Sequence, residues 1–230
     1  MQKQDVLKNY LSQIGIELQD EKIALLLAFC DTVLETNKKF NLTAITDYDE
    51  FLIKHVTDSL LGLSEIPSGA KLCDVGAGAG FPSMPIAIAR DDVRVTALDS
   101  TAKKMTFIAD SARTLGVNNV KTIAGRAEEQ RSLFGTFDIV TARAVSALPI
   151  LLELCIPLLK VGGRFLAYKA TDSELDECKT ALKVLNAQFV HAKSAQLPNG
   201  DSRTILVFEK TAKTDGKYPR QYGTIKKKPL

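Results

Sequence analysis

No apolar run in the chain approaches the roughly 18 residues that a membrane-spanning helix needs. A helical membrane span is therefore excluded. The opening residues, MQKQDVLKNYL, carry no apolar block of the kind that begins a secretory signal, so a cytoplasmic protein is expected. Cysteine is sparse. Cys30, Cys73, Cys155 and Cys178 lie far apart and form no CxxC pair, which argues against zinc. Reduced thiols in apolar surroundings are expected, with no metal. No internal repeat is visible, and only the Lys/Arg-rich end is low in complexity. Net charge is small, +3, but unevenly placed. From Lys210 to Leu230 there are seven Lys or Arg and one Asp, or +6, so the first 209 residues carry about −3. A basic tail on a nearly neutral body fits either an anionic partner such as RNA or a solvated, frayed end.

What is present is enough apolar material for a full core: 230 residues, 45% hydrophobic and 25% charged. This suits one domain with an appendage, or two small domains. Residues 1–65 read as a helical segment. DEKIALLLAFCDTVLETNKKF spaces Ile23, Leu26, Leu27, Cys30, Val33 and Leu34 as one helical face, with Asp20 as its N-cap. A further helix is expected over about residues 47–63. At IPSGA the texture changes. Over residues 66–210, KLCDVG, VRVTALD, VKTIAG, FDIVTA, GRFLAYK, QFVHAKSA and RTILVFEK read as strands, with helical runs between most of them. That alternation predicts an α/β fold, a mostly parallel sheet wrapped on both faces. The last two strands are joined only by LPNGDS and should form an antiparallel hairpin at one edge. Residues 211–230 form the basic tail.

The first strand runs into LCDVGAGAGFP. Glycine is costly to order and is used where backbone takes unusual dihedrals or comes close to something. In open parallel sheets ligands bind at the carboxyl ends of the strands. Gly76, Gly78 and Gly80 are thus placed to let backbone approach a cofactor. The pattern is GxGxG rather than the GxGxxG of dinucleotide sites, since Phe81 stands where the third glycine would fall. Pro82 begins the next helix and lacks an N–H that a pyrophosphate would use. An adenosine with an amino-acid arm, S-adenosylmethionine, fits better. Asp99 ends the second strand and can accept both ribose hydroxyls. GRAEE, with Glu128, follows the third strand at the depth of an adenine, and Arg143 ends the fourth.

These segments together resemble the bacterial 16S rRNA guanine-N7 methyltransferase family, also called glucose-inhibited division protein B. The resemblance rests on NKKFNLTAI, HVTDSLL, DVGAGAGFP, LDSTAKKMTFI, GRAEE, DIVTARAVS, a strand ending in Lys169, and KYPRQYGTIKKKPL, in the family's order over nearly the whole chain. It implies a Rossmann-like class I methyltransferase domain behind a helical N-terminal segment. It also implies S-adenosylmethionine as cofactor, and a guanine of 16S rRNA in the 30S subunit as substrate. By the same resemblance Gly76 and Phe81 line the cofactor, Ala127 and Glu128 flank its adenine, and Arg143 contacts the cofactor region. Asn41, His55, Arg126 and Lys169 match the family's substrate-side polar set and are the candidate catalytic residues. Ser83 and Ala170 stand where the family usually has glycine. A monomer is expected.

Read as residues alone, several of these positions have plainer roles. His55 could be a structural imidazole, Asn41 a turn cap, Lys169 a solvated strand end and Arg143 a surface arginine. Two rival functions are an NAD-dependent oxidoreductase and a non-catalytic RNA-binding assembly factor. The first lacks its third glycine and an evident hydride-transfer partner. The second leaves the glycine loop and Asp99 without a task. Guanine N7 carries a lone pair and no proton, so neither a general base nor a cysteine nucleophile is expected.

Overall fold

The computed structural model describes residues 2–143 and 146–230. Helices α1 (Lys3–Gln13) and α2 (Asp20–Asn37) come first. The N-cap of α2 is Gln19 rather than Asp20. Asp20 is its first helical residue, and its carboxylate meets Lys8 Nζ at 2.7 Å. The helix expected over residues 47–63 runs instead from Tyr48 to Leu60 and is not regular. Short α pieces, α3 (Tyr48–Phe51) and α4 (Asp58–Leu60), flank a six-residue π turn, Leu52–Thr57. Such turns re-aim side chains and recur at functional sites; here the turn carries His55.

The α/β alternation follows: β1 (Lys71–Val75), α5 (Ser83–Ala89), β2 (Arg94–Asp99), α6 (Ala102–Leu115), β3 (Val120–Ala124), β4 (Phe137–Arg143), α7 (Leu148–Cys155) and β5 (Leu159–Lys169). Then come α8 (Lys179–Leu185), β6 (Ala187–Gln196), β7 (Ser202–Lys210) and α9 (Tyr222–Lys227). The seven strands form one sheet in the order β3-β2-β1-β4-β5-β7-β6. The first five are parallel, and β7 runs antiparallel to both β5 and β6. All seven expected strands are present, and the mostly parallel sheet with an antiparallel edge hairpin is as expected. Pro82 is the N-cap residue of α5, and the helix itself begins at Ser83.

The central strands are apolar on both faces because both are covered. Leu72, Ile139, Leu166 and Val207 face a cluster formed by α1 through α6, including Phe29, Phe51 and Met84. Their neighbours in the strands, Cys73, Val140, Phe165 and Phe208, face a second cluster with Leu151, Leu152, Leu185 and Ile225. All four cysteines are free and buried. Burial pushes the thiols of Cys30, Cys73 and Cys155 well above the usual range. None is poised as a nucleophile.

The basic end is not frayed. Ile225 on α9 is fully buried in the second cluster. Arg220 grips Glu153 of α7 through Nε and Nη2 at 2.8 and 2.6 Å, and its own N–H bonds the same carboxylate at 2.9 Å. Glu153 has no exposed surface. This buried pair fastens residues 211–230 to the sheet's second face.

Candidate functional site: the rim at the strand ends

The five parallel strands end on one rim at Val75, Asp99, Ala124, Arg143 and Lys169. The order reverses between β1 and β4, the place where such sheets open a ligand crevice. The glycine turn leaves β1 there. Gly76 N–H and Ala77 N–H both bond Leu98 O, at 2.8 and 3.1 Å. Gly78 N–H bonds Asp99 Oδ2 at 3.1 Å, and Asp99 Oδ1 accepts from Thr101 N–H at 2.8 Å. The turn is thus tied to the end of β2.

Beneath it Asp74 is fully buried, with Oδ1 accepting from Thr141 Oγ1–H at 3.0 Å and Oδ2 from Ser83 N–H at 3.1 Å. One carboxylate joins β1, β4 and the start of α5. Burial raises it to about 6, against the pull of those hydrogen bonds. Ser83 needs no glycine-like space, since it is itself packed away in the core.

The three glycines divide their work. Gly78 has φ +56°, and a Cβ there would meet only Gly76 O, at 3.8 Å, so its α-carbon opens onto free space. Gly80 has φ +101°, but its Cβ would sit 3.0 Å from the Phe29 ring and 3.1 Å from Met84. Its α-carbon is packed closely against the core. Phe81 also departs from expectation. Its side chain is buried among Phe29, Phe51 and His55, with ring centroids 5.3, 5.5 and 4.8 Å away, and its N–H is spent on Ala77 O. The ring is turned into the core because Phe29 and Phe51 offer it an apolar slot.

A cleft of about 160 Å³ brings together Gly76, Leu98, Asp99, Arg126, Ala127, Glu128, Leu154 and Tyr222. Glu128 is largely buried yet has no hydrogen-bond or ion-pair partner among the described residues. A free acceptor therefore stands where an adenine edge was expected. The Arg126 guanidinium lies 5.1 Å from the Tyr222 ring. A wider basic cleft of about 900 Å³ adjoins, sharing Arg126, Glu128 and Tyr222 and adding Arg131 and Lys217.

Arg143 is not in that cleft. Its Nη1 donates to Lys54 O at 2.6 Å and Asp58 Oδ2 at 2.8 Å, and its Nη2 donates to His55 Nδ1 at 3.0 Å. Arg203 Nε approaches Asp58 Oδ1 at 3.3 Å. Arg143 thereby locks the π turn and α4 onto the end of β4. The arginine proton leaves His55 Nδ1 only an acceptor role, so Nε2 carries the hydrogen and donates to Thr43 Oγ1 at 2.8 Å. With both nitrogens engaged and the ring stacked on Phe81, His55 is neither a free acid nor a free base.

Burial and the Arg143 charge hold the His55 imidazole down at about 3. Below pH ~6.5 the unfolded chain takes up a proton there and the folded chain does not, so stability is lost at up to about 1.4 kcal/mol per pH unit. Asp74 acts oppositely. Raised to about 6 in the fold, it takes its proton first as pH falls from about 6 toward 3.8, which stabilises the fold. The two partly cancel. Urea unfolding at pH 7, 6 and 5 should show a shallow profile for the native chain. For His55→Gln the profile should rise toward low pH, narrowing its deficit by up to about 1.4 kcal/mol per unit. Parallel profiles would refute this account of the imidazole.

The remaining candidates are dispersed. Lys169 Nζ donates to Ser146 O at 3.0 Å and Glu174 Oε1 at 2.7 Å, and Glu174 also receives the Leu148 N–H. Lys169 thus steadies the start of α7. Asn41 is exposed and does not cap its turn; Asn37 Oδ1 does, accepting from Leu42 and Thr43 N–H at 2.7 and 3.0 Å. No hydrogen bond or ion pair among the described residues joins any two of Asn41, His55, Arg126 and Lys169. Sequence reasoning missed Asp74, Asp58, Thr43 and Tyr222. Asp74 had a signal, an acid inside an apolar strand. The others had none, because their partners are remote in the chain.

The model of the GidB family, described as rRNA small subunit methyltransferase G, matches residues 22–205. The chain belongs to this family. The curated "Ribosomal RNA small subunit methyltransferase G" of Lactobacillus delbrueckii subsp. bulgaricus is 43% identical over 230 residues, covering 96% of each chain. Its counterpart from Streptococcus pyogenes serotype M1 is 42% identical over 228 residues, again covering 96% of each. Solved structures are likenesses of fold. A 16S rRNA (adenine(1408)-N(1))-methyltransferase from Catenulisporales acidiphilia with SAM superposes at TM-score 0.52 and 17% identity, covering 64% of this chain and 88% of that one. M. jannaschii TYW2 in complex with AdoMet gives 0.51 and 16%, covering 61% and 69%. Membership confirms the resemblance and the class I methyltransferase fold; neither rival function is favoured. Among the described residues no helix is long and apolar enough to cross a membrane.

Proposed function

We propose that this rRNA small subunit methyltransferase transfers a methyl group from S-adenosylmethionine to N7 of one guanine in 16S rRNA, in the cytoplasm. The observation that carries the cofactor is the cleft at the ends of β1, β2 and β3. There Asp99 offers a carboxylate anchored on the glycine turn and Glu128 an acceptor without a partner among the described residues, while Gly78, in the turn itself, leaves open space at its α-carbon. Two carboxylates with Gly76 and Ala127 suit a ribose diol, an amino-bearing adenine edge and a cationic sulfur. When bound, the cofactor supplies a methyl group already activated by positive charge on sulfur.

The protein's task is then alignment, worth several kcal/mol in bimolecular reactions. Asp99 and Glu128 bind and orient, Asp74 fixes the glycine turn, and the Arg143 clamp holds the N-terminal wall over the rim. No proton leaves guanine N7, which fits a site where His55 has no free nitrogen and the thiols are buried. Arg126 is the substrate-side candidate beside the cleft. Asn41 and Lys169 are proposed for the RNA side of the rim, His55 for orienting Arg143. Transfer of labelled methyl groups to ribosomal RNA or 30S subunits from cells lacking this protein, followed by mapping of the base, tests the reading. Label at an adenine or cytosine would overturn it.

The exposed lysines of the C-terminal end should supply salt-dependent affinity for RNA. Replacing Lys226, Lys227 and Lys228 by alanine should flatten log affinity against log salt by up to about one unit per lost phosphate contact. An unchanged slope would leave these lysines no part in RNA binding.

A further inference from the structure

The cofactor cleft has a wall that neither the glycine turn nor the strand ends supply. Tyr222, the first residue of α9, lines it together with Asp99, Ala127 and Glu128. Three interactions fix this segment. Arg220, two residues earlier, is fixed to the buried Glu153 by a two-pronged pair and a backbone bond. Ile225, three residues later, is fully buried. Arg126, from the loop after β3, lies over the ring at 5.1 Å. The ring is half-buried and, beside Arg126, shares the cleft with Ala127 and Glu128, which would receive a base.

We propose that Tyr222 is a cofactor-contacting residue, its ring packing on the adenosine, and that Arg220, Glu153 and Arg126 are positioning residues acting through it. This rests on the proposed use of S-adenosylmethionine. An aromatic face suits a purine, and it does so from a segment already tethered, so little ordering is left for the moment of binding. The consequence is a coupling. The chain that carries Lys226, Lys227 and Lys228 also completes the cofactor site, so RNA contact with α9 and cofactor binding bias the same docked segment.

Calorimetry and tyrosine fluorescence with S-adenosylmethionine, on the full chain, test this. The chain contains no Trp and five Tyr, so tyrosine emission can be read directly. Tyr222→Ala should weaken binding at least about fivefold, the lower end for losing one base–aromatic stack. Tyr222→Phe should bind within about threefold of native, because the ring face is kept, while losing the ligand-induced change in tyrosine emission. Arg220→Lys, which keeps one bond to Glu153, should fall between native and Tyr222→Ala. Melting curves for each variant separate a lost contact from a lost fold. If Tyr222→Ala binds within twofold of native, the proposal is overturned, though the cofactor reading stands. If the native chain itself binds no S-adenosylmethionine, that reading fails first.

Discussion

Arg220→Ala is expected to lower the thermal midpoint by roughly 6–20 °C. The variant leaves Glu153, which has no exposed surface, without its guanidinium partner. Removing one member of a buried ion pair costs about 3–5 kcal/mol, because the surviving charge stays desolvated. In a chain of this length each kcal/mol moves the midpoint by about 2–4 °C. Arg220 is the partner nearer to solvent, so Glu153→Gln should cost less than Arg220→Ala. Replacing both residues by methionine should recover much of the loss, since two apolar chains leave no buried charge. The backbone N–H of Arg220 still loses its acceptor, so recovery should be incomplete. Calorimetric melting of the two single variants and the double variant checks this. A fall of less than about 2 °C in Arg220→Ala would show that the tail is not fastened through this pair.

Gly78→Val should weaken S-adenosylmethionine binding at least about tenfold, or ~1.4 kcal/mol. At φ +56° the backbone lies in the left-handed region, where a side chain costs about 1–2 kcal/mol and a β-branched one more. Relaxing that strain would pull Gly78 N–H from Asp99 and tilt the carboxylate proposed for the ribose. The branched side chain would also enter the open space above the turn. Gly80→Val is the contrast. Its side chain would press on Phe29 and Met84, and overpacking of that kind costs about 1–3 kcal/mol. Its main effect should be on melting, with a smaller one on affinity. Titration calorimetry and melting curves on both variants separate the roles. Undiminished binding by Gly78→Val, or an unshifted midpoint in Gly80→Val, would contradict the division of labour.

Residues 1–65 and the strand ends were legible to different degrees. The helical face of α2 and all seven strands follow from periodicity, which is a property of a few neighbouring residues. The π turn at Leu52–Thr57 does not, since HVTDSLL reads as ordinary helix and only its meeting with Arg143 shows what the irregularity serves. DSELDECKTALKVLNA, residues 172–187, is patterned like one helix, yet it folds as a 3-10 turn and the seven residues Lys179–Leu185. Asn186 ends it in the left-handed conformation, with φ 55°.

By itself the sequence determined the α/β alternation, the antiparallel edge hairpin, the glycine turn after β1 and the family. Each is carried by short segments whose chemistry is complete within a few residues. Which way side chains turn and what they meet depends instead on long-range packing. Phe81 turns from the rim into the core because Phe29 and Phe51 make a slot there. Arg143 serves the N-terminal wall because Asp58, 85 residues away in the chain, reaches it at 2.8 Å. The basic end docks beside the cleft at the strand ends because Glu153, 67 residues before Arg220, is buried and holds it. A charge's partner depends on which surfaces pack together, and no local pattern encodes that.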